Sequence, residues 1–147
     1  MTPDDLFGWA GPLAMAGWAV LILGPRGWPL LDAVPRLAVP LALSLLYALL
    51  MLTRFAGAEG GFGSLADVRL LFADDWVLLA GWVHYLAFDL IVGGLLATRM
   101  DRAGVGRLVQ APVLVSTFLL GPVGVVLALL IEGALRPLRA LSRDVAA

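Results

Sequence analysis

The segment Trp76–Thr98 restricts this chain more than any other part of it. At about 1.5 Å of rise per residue it is long enough to cross a hydrocarbon core of about 30 Å as a helix. Two of its residues are ionisable: His84, the only histidine, and Asp89, close to the middle of the run. A charged side chain at that depth costs about 2.5–3.5 kcal/mol even on insertion scales, so such residues face protein or a cavity and mark function by default.

Composition extends this reading to the whole chain. Of 147 residues, 61% are hydrophobic and 14% charged, with a mean hydropathy of +0.96, well outside the range of soluble domains. Four stretches are long enough to span: Leu6–Leu23, Leu37–Thr53, Trp76–Thr98 and Pro112–Ile131. The expected fold is therefore all-α, one polytopic membrane domain over residues 1–147 built as a four-transmembrane-helix bundle. The third helix belongs at its centre, because it carries polar or aromatic residues on two faces and both need protein beside them.

Missing residue types exclude several chemistries. Cysteine is absent, which removes disulfides, thiolate nucleophiles and cysteine metal sites. Lysine is absent too, and all ten basic side chains are arginine; a retinal-type Schiff base, which needs a primary amine, is excluded. No metal site and no cofactor is expected. The lack of Lys and Asn beside abundant Ala, Gly, Leu, Val and Arg suggests a GC-rich genome, and with it a bacterial inner or intracytoplasmic membrane. The start, Met1–Asp5, is acidic rather than basic, so the first helix is expected to be retained rather than cleaved as a signal. Four spans would put both termini on one side and set five arginines against five, leaving the orientation undecided. A net charge of −1 gives no reason to expect nucleic acid as a partner.

Punctuation divides the spans. Gly24-Pro25-Arg26-Gly27 ends the first, and Pro29 and Pro35 are expected to keep the connection from continuing as helix. After the glycine-rich Gly57–Gly63, Ser64-Leu65-Ala66-Asp67 reads as a helix start of the capping-box kind. A short interfacial helix between spans two and three is expected through Phe72, with Leu65, Leu70, Leu71 and Phe72 dipping into lipid. Asp74 and Asp75 favour the positive start of the third span. Glu132 is placed to reach the interface or to pair with Arg136 one turn on.

Polar or helix-breaking residues recur at similar depths: Ser44 and Tyr47 in the second span, Asp89 in the third, Pro122 in the fourth. Pro122 has no amide hydrogen and leaves the Phe118 carbonyl without its intrahelical partner, so a kink is expected there. At about 100° per residue, Leu78, Trp82, Tyr85, Asp89 and Leu96 share one stripe of the third helix, and Gly81, His84, Phe88, Ile91 and Leu95 share another. His84 and Asp89 then lie about 140° apart in azimuth and about 7.5 Å apart along the axis, too far for a direct hydrogen bond. Trp82 and Tyr85 beside Asp89 form an aromatic wall with one acid in it. With no cation at that depth, a neutral carboxyl able to donate a proton is expected.

The run Trp82-Val83-His84-Tyr85-Leu86-Ala87-Phe88-Asp89-Leu90, followed by Gly93, resembles the tryptophan-x-histidine-(x)4-aspartate-leucine signature of the abscisic-acid-deficient-four-like family, the neoxanthin synthase family. Leu23-Gly24-Pro25-Arg26 and Phe118-Leu119-Leu120-Gly121-Pro122-Val123-Gly124 resemble two further stretches of it, and the likeness covers nearly the whole chain. The resemblance implies an apolar polyene or isoprenoid ligand and an epoxide-to-allene type of isomerisation. Asp89 is then the expected acid and His84 the expected base, with Trp82, Tyr85, Tyr47, Ser44, Phe118 and Pro122 holding the substrate. Two other classes stay open. In one, the protein is a pigment-binding or accessory subunit of a membrane complex, with Ala80 leaving room beside His84 for a metal macrocycle. In the other it is a helical scaffold, alone or as a homo-oligomer, whose polar residues only fix packing.

Overall fold

Prolines decide where the helices begin and how they continue. The structure, a computed structural model, describes residues 1–145, with side chains as far as Ala134. Helix α1 (Pro3–Leu23) opens with a proline in its first turn, where the missing N–H costs nothing. Thr2 caps it: its hydroxyl accepts from the Asp5 amide at 3.2 Å, and the Asp5 carboxylate accepts from the Thr2 amide at 2.7 Å. This reciprocal cap was not anticipated from the sequence.

The connection after α1 is shorter than expected. Helix α2 (Pro29–Ala33) starts at Pro29 rather than being blocked by it, and runs through a π-helical segment (Val34–Ala38) into α3 (Val39–Arg54) and a 3-10 turn (Phe55–Gly57). Pro35 sits inside that segment, where the Val39 amide bonds back to the Val34 carbonyl. A wider turn accommodates a residue that has no amide hydrogen and whose ring crowds the preceding turn. One helical run therefore extends from Pro29 to Gly57.

Helix α4 (Leu65–Leu71) is the short helix expected before the third span. Ser64 caps it, accepting from the Asp67 amide at 3.1 Å and donating to the Asp67 carboxylate at 2.7 Å. Leu65, Leu70 and Phe72 are exposed, but Leu71 is buried, so that residue enters protein instead of lipid. Helix α5 (Asp75–Arg102) follows, and the Asp74 carboxylate accepts from the Trp76 and Val77 amides at 2.8 and 3.1 Å. Helices α6 (Arg107–Leu120) and α7 (Pro122–Val145) complete the described residues, which are all-helical in their regular structure.

Among the described residues three helical runs are long and apolar enough to cross a bilayer: α1, Pro29–Gly57 and α5. Half of the spanning window of α5 is buried, against 28% and 22% for the others, so α5 has the most protein around it. The chain packs as two units, Met1–Ile91 and the remainder from Val92. In the first, α1 turns Ala10, Ala14, Gly17, Trp18 and Leu21 inward, a helical face at three- and four-residue spacing. A methyl group built on Gly17 would lie 2.7 Å from Leu90 of α5 and 3.3 Å from Val39 of α3. That glycine is where three helices close on one another.

In the second unit the last turns of α5 bury Ala97 and Met100. Buried Gln110 of α6 donates to the Asp101 carboxylate and to the Val105 carbonyl, both at 2.8 Å. The expected fourth span, one helix kinked at Pro122, is instead two helices. Gly121 adopts φ +45° and ψ −95°, and α7 folds back on α6, bringing Gly124 against the Thr117 backbone. Pro122 disfavours helical geometry in the residue before it, and glycine there accepts the positive φ that reverses the chain. Glu132 pairs with Arg99 of α5; the expected interaction with Arg136 lies outside the described side chains, which end at Ala134.

Candidate functional site

Helix α5 positions two sets of side chains on different faces. His84 projects from the first face toward α3. Its ring lies 5.1 Å from that of Tyr47, tilted by 55°, and stacks on Phe88 at 4.5 Å. Beside it is a cleft of about 150 Å³ whose walls come from α3 (Tyr47, Met51), the following turn and loop (Phe55, Phe62), the end of α4 (Leu71, Phe72) and α5 (Val77, Gly81, His84). Phenol and imidazole are the only polar side-chain groups among those lining residues. His84 and Phe88 are exposed at its edge.

Close approach at two glycines makes the cleft possible. A methyl group on Gly81 would lie 2.6 Å from the Phe72 ring, which rests on the α5 backbone there. Gly60, at φ +93°, lets the loop sit on α4, where a side chain would meet the Asp67 carbonyl and the Leu71 amide. Phe55 and Phe62 stack at 5.9 Å across that loop. At the neighbouring boundary the Arg54 guanidinium lies 4.2 Å over the Trp76 ring, a cation–π contact.

The second face carries the aromatic wall. Trp82 and Tyr85 stack at 5.6 Å, Phe7 of α1 adds a ring 5.8 Å from Trp82, and the Tyr85 hydroxyl donates to the Asp89 carboxyl one turn on. Asp89 is half-buried, and its Oδ2 is sealed from solvent without a hydrogen-bond partner. Toward the start of α5, Phe7 and Trp82 line a cavity of about 270 Å³ with Pro3, Asp4, Asp75, Leu78 and Leu79.

Of the residues singled out in the sequence, the structure brings Tyr47 to His84, and brings Trp82, Tyr85 and Asp89 together. It does not bring His84 to Asp89, whose neighbours lie on separate faces of α5. Ser44 is half-buried one turn before Tyr47. Phe118 and Pro122 belong to the second unit, at the reversal between α6 and α7. Ala80, expected to leave room beside His84, is 1% exposed and fills the core; the small residue under the cleft is Gly81. Phe62 and Phe72 were missed as lining residues. Only Gly81, three positions before His84, hinted that a ring could lie against this helix.

Among the described residues no group of three or more His, Asp or Glu side chains is placed to hold a metal ion. No curated protein and no solved structure matches the chain. A family model does match, over residues 5–127, which takes in α1 to α6, the Tyr47–His84 cleft and the Trp82–Asp89 wall. The chain belongs to the ABA4-like (ABA DEFICIENT 4-like) family and is a membrane protein of that family.

Proposed function

We propose that this protein binds the oxygenated end of a carotenoid or related isoprenoid in the Tyr47–His84 cleft and isomerises it by proton transfer. The observation that carries the reading is an imidazole and a phenol standing together in an otherwise apolar cleft at the edge of a spanning helix. A volume of about 150 Å³ is below the roughly 300–1,000 Å³ that encloses a drug-sized ligand. It suits a ring or prenyl end group, while the exposed edge at His84 and Phe88 lets an apolar chain continue into the bilayer.

The chemistry balances without an oxidant. His84 takes a proton from carbon, the electron pair forms a new double bond, the C–O bond of an epoxide opens, and its oxygen receives a proton from an acid. In this cleft the Tyr47 hydroxyl is the donor within reach. Asp89 and Tyr85 form a second proton-bearing pair on the other face, and assigning the acid to Asp89 would require a ligand that wraps around α5. Gentle purification followed by absorbance and mass analysis of the extract tests the reading. Carotenoid bands are expected, as is conversion of an added oxygenated carotenoid without cofactor. A metal macrocycle would assign His84 to pigment ligation instead, and a colourless preparation that converts nothing would leave a scaffold.

A further inference from the structure

Helices α6 and α7 are each too short in their apolar parts to cross a membrane. The apolar segments Arg107–Leu120 and Pro122–Ala134 reach about 20 Å apiece at about 1.5 Å per residue, against a core of about 30 Å. Polarity is segregated along the pair. Its turn is apolar and exposed, with Leu119, Leu120 and Val123 at 59%, 59% and 44%. Its open end holds Arg107, the Gln110–Asp101 hydrogen bond and the Arg99–Glu132 ion pair. At the turn the Gly121 amide bonds to the Thr117 carbonyl at 2.8 Å, and the Gly124 amide to the Gly121 carbonyl at 3.0 Å. Gly121, the non-helical residue between α6 and α7, is itself buried, and irregular backbone shielded by protein is tolerated at membrane depth.

We infer that α6 and α7 form a re-entrant hairpin that enters the bilayer from the side where α5 ends and leaves by the same side. Glu132, paired with Arg99 near the end of α5, marks the interface. Pro122 lies ten positions earlier on α7, about 15 Å deeper, so the turn stands halfway across the core. Lipid tails are the partner of its exposed leucines and valine.

The hairpin decides the orientation that four full spans left open. Three crossings followed by a hairpin put Met1 and the end of α7 on opposite sides. Arg54 and Arg69 then stand alone on the side of Met1, and the other eight arginines lie on the side where α5 ends. By the positive-inside bias that second side is cytoplasmic. Asp4, Asp5, Glu59, Asp67, Asp74 and Asp75 collect on the outer face.

The absence of cysteine allows a direct test on the full chain in bacterial cells. Single variants Thr2→Cys, Glu59→Cys, Gly106→Cys and Ser142→Cys are treated with a membrane-impermeant maleimide before and after lysis. Thr2→Cys and Glu59→Cys are expected to react in intact cells, and Gly106→Cys and Ser142→Cys only after lysis. Reaction of Thr2→Cys and Ser142→Cys from the same side overturns the hairpin, and the fully inverted pattern overturns the orientation. Alkaline phosphatase fused after Ala147 supplies an independent readout: inactive enzyme is expected, and active enzyme contradicts the inference.

Discussion

The two faces of α5 are built in different ways. The wall of Trp82, Tyr85 and Asp89 comes from one helix at three- and four-residue spacing, with Phe7 added from α1. The cleft at His84 takes its walls from α3, a turn, a loop, the end of α4 and α5, in residues scattered from Tyr47 to His84. A wall made by one helix is present whenever that helix forms. A cleft made by several elements exists only when they dock, and it can be lost without unfolding the helix beneath it.

Substituting the polar residue of each face tests which of them does chemistry. His84→Ala should reduce isomerisation of an oxygenated carotenoid by about 10²–10⁴-fold, the range for a general base, with little change in thermal unfolding because the ring is exposed at the edge of the cleft. Loss of fold together with activity would make His84 a packing residue.

Gly124 provides the next largest effect, on stability. A methyl group there would lie 2.6 and 2.7 Å from Thr117 backbone atoms, which cannot move aside as a side chain can. Gly124→Ala gains about 1 kcal/mol of helix propensity but incurs overpacking of about 1–3 kcal/mol or more. A lowered unfolding temperature in detergent is expected, whereas Gly133→Ala, with open space around it, should not lower it. Equal behaviour of the two variants would contradict the close approach of α7 to α6.

Asp89→Asn is expected to stay within about tenfold of the parent in turnover, since the amide retains a hydrogen bond with Tyr85 worth about 0.5–1.5 kcal/mol. A collapse comparable to that of His84→Ala would return the acid to Asp89 and join the two faces in one reaction.

Gly81→Ala has the smallest expected effect on stability. The added methyl meets the edge of the Phe72 ring, which is 39% exposed and can swing away, while the helix gains about 1 kcal/mol from alanine. The unfolding temperature should move little, but retention of a bound carotenoid through purification should fall as Phe72 is displaced. Unchanged retention would show that Phe72 is not a wall of the site.

Much of the fold was legible because its signals are local. Apolar runs marked α1, α3 and α5, and Ser64 with Asp67 marked the start of α4. Prolines were the weak point. Pro29 and Pro35 read as breakers, yet one occupies a first helical turn and the other a π-helical segment, since each position dispenses with the amide that proline lacks. At the site, the spacing of Trp82, Tyr85 and Asp89 gave one stripe correctly. The expected exposure of Phe72 holds, but nothing nearby in sequence reveals that its ring also rests on Gly81.

Sequence alone determined that α5 is long and apolar enough to cross a membrane and that His84 and Asp89 face different ways, because length, hydropathy and a 100° turn per residue require no partner. Tertiary structure decided that Tyr47 meets His84, that Phe62 and Phe72 close a cleft around them, and that Gly121 reverses the chain instead of bending it. Those outcomes depend on distances between residues far apart in sequence, or on whether a backbone finds a surface to fold against. At Gly124 that surface is the Thr117 backbone, and the missing side chain is what lets the two helices meet.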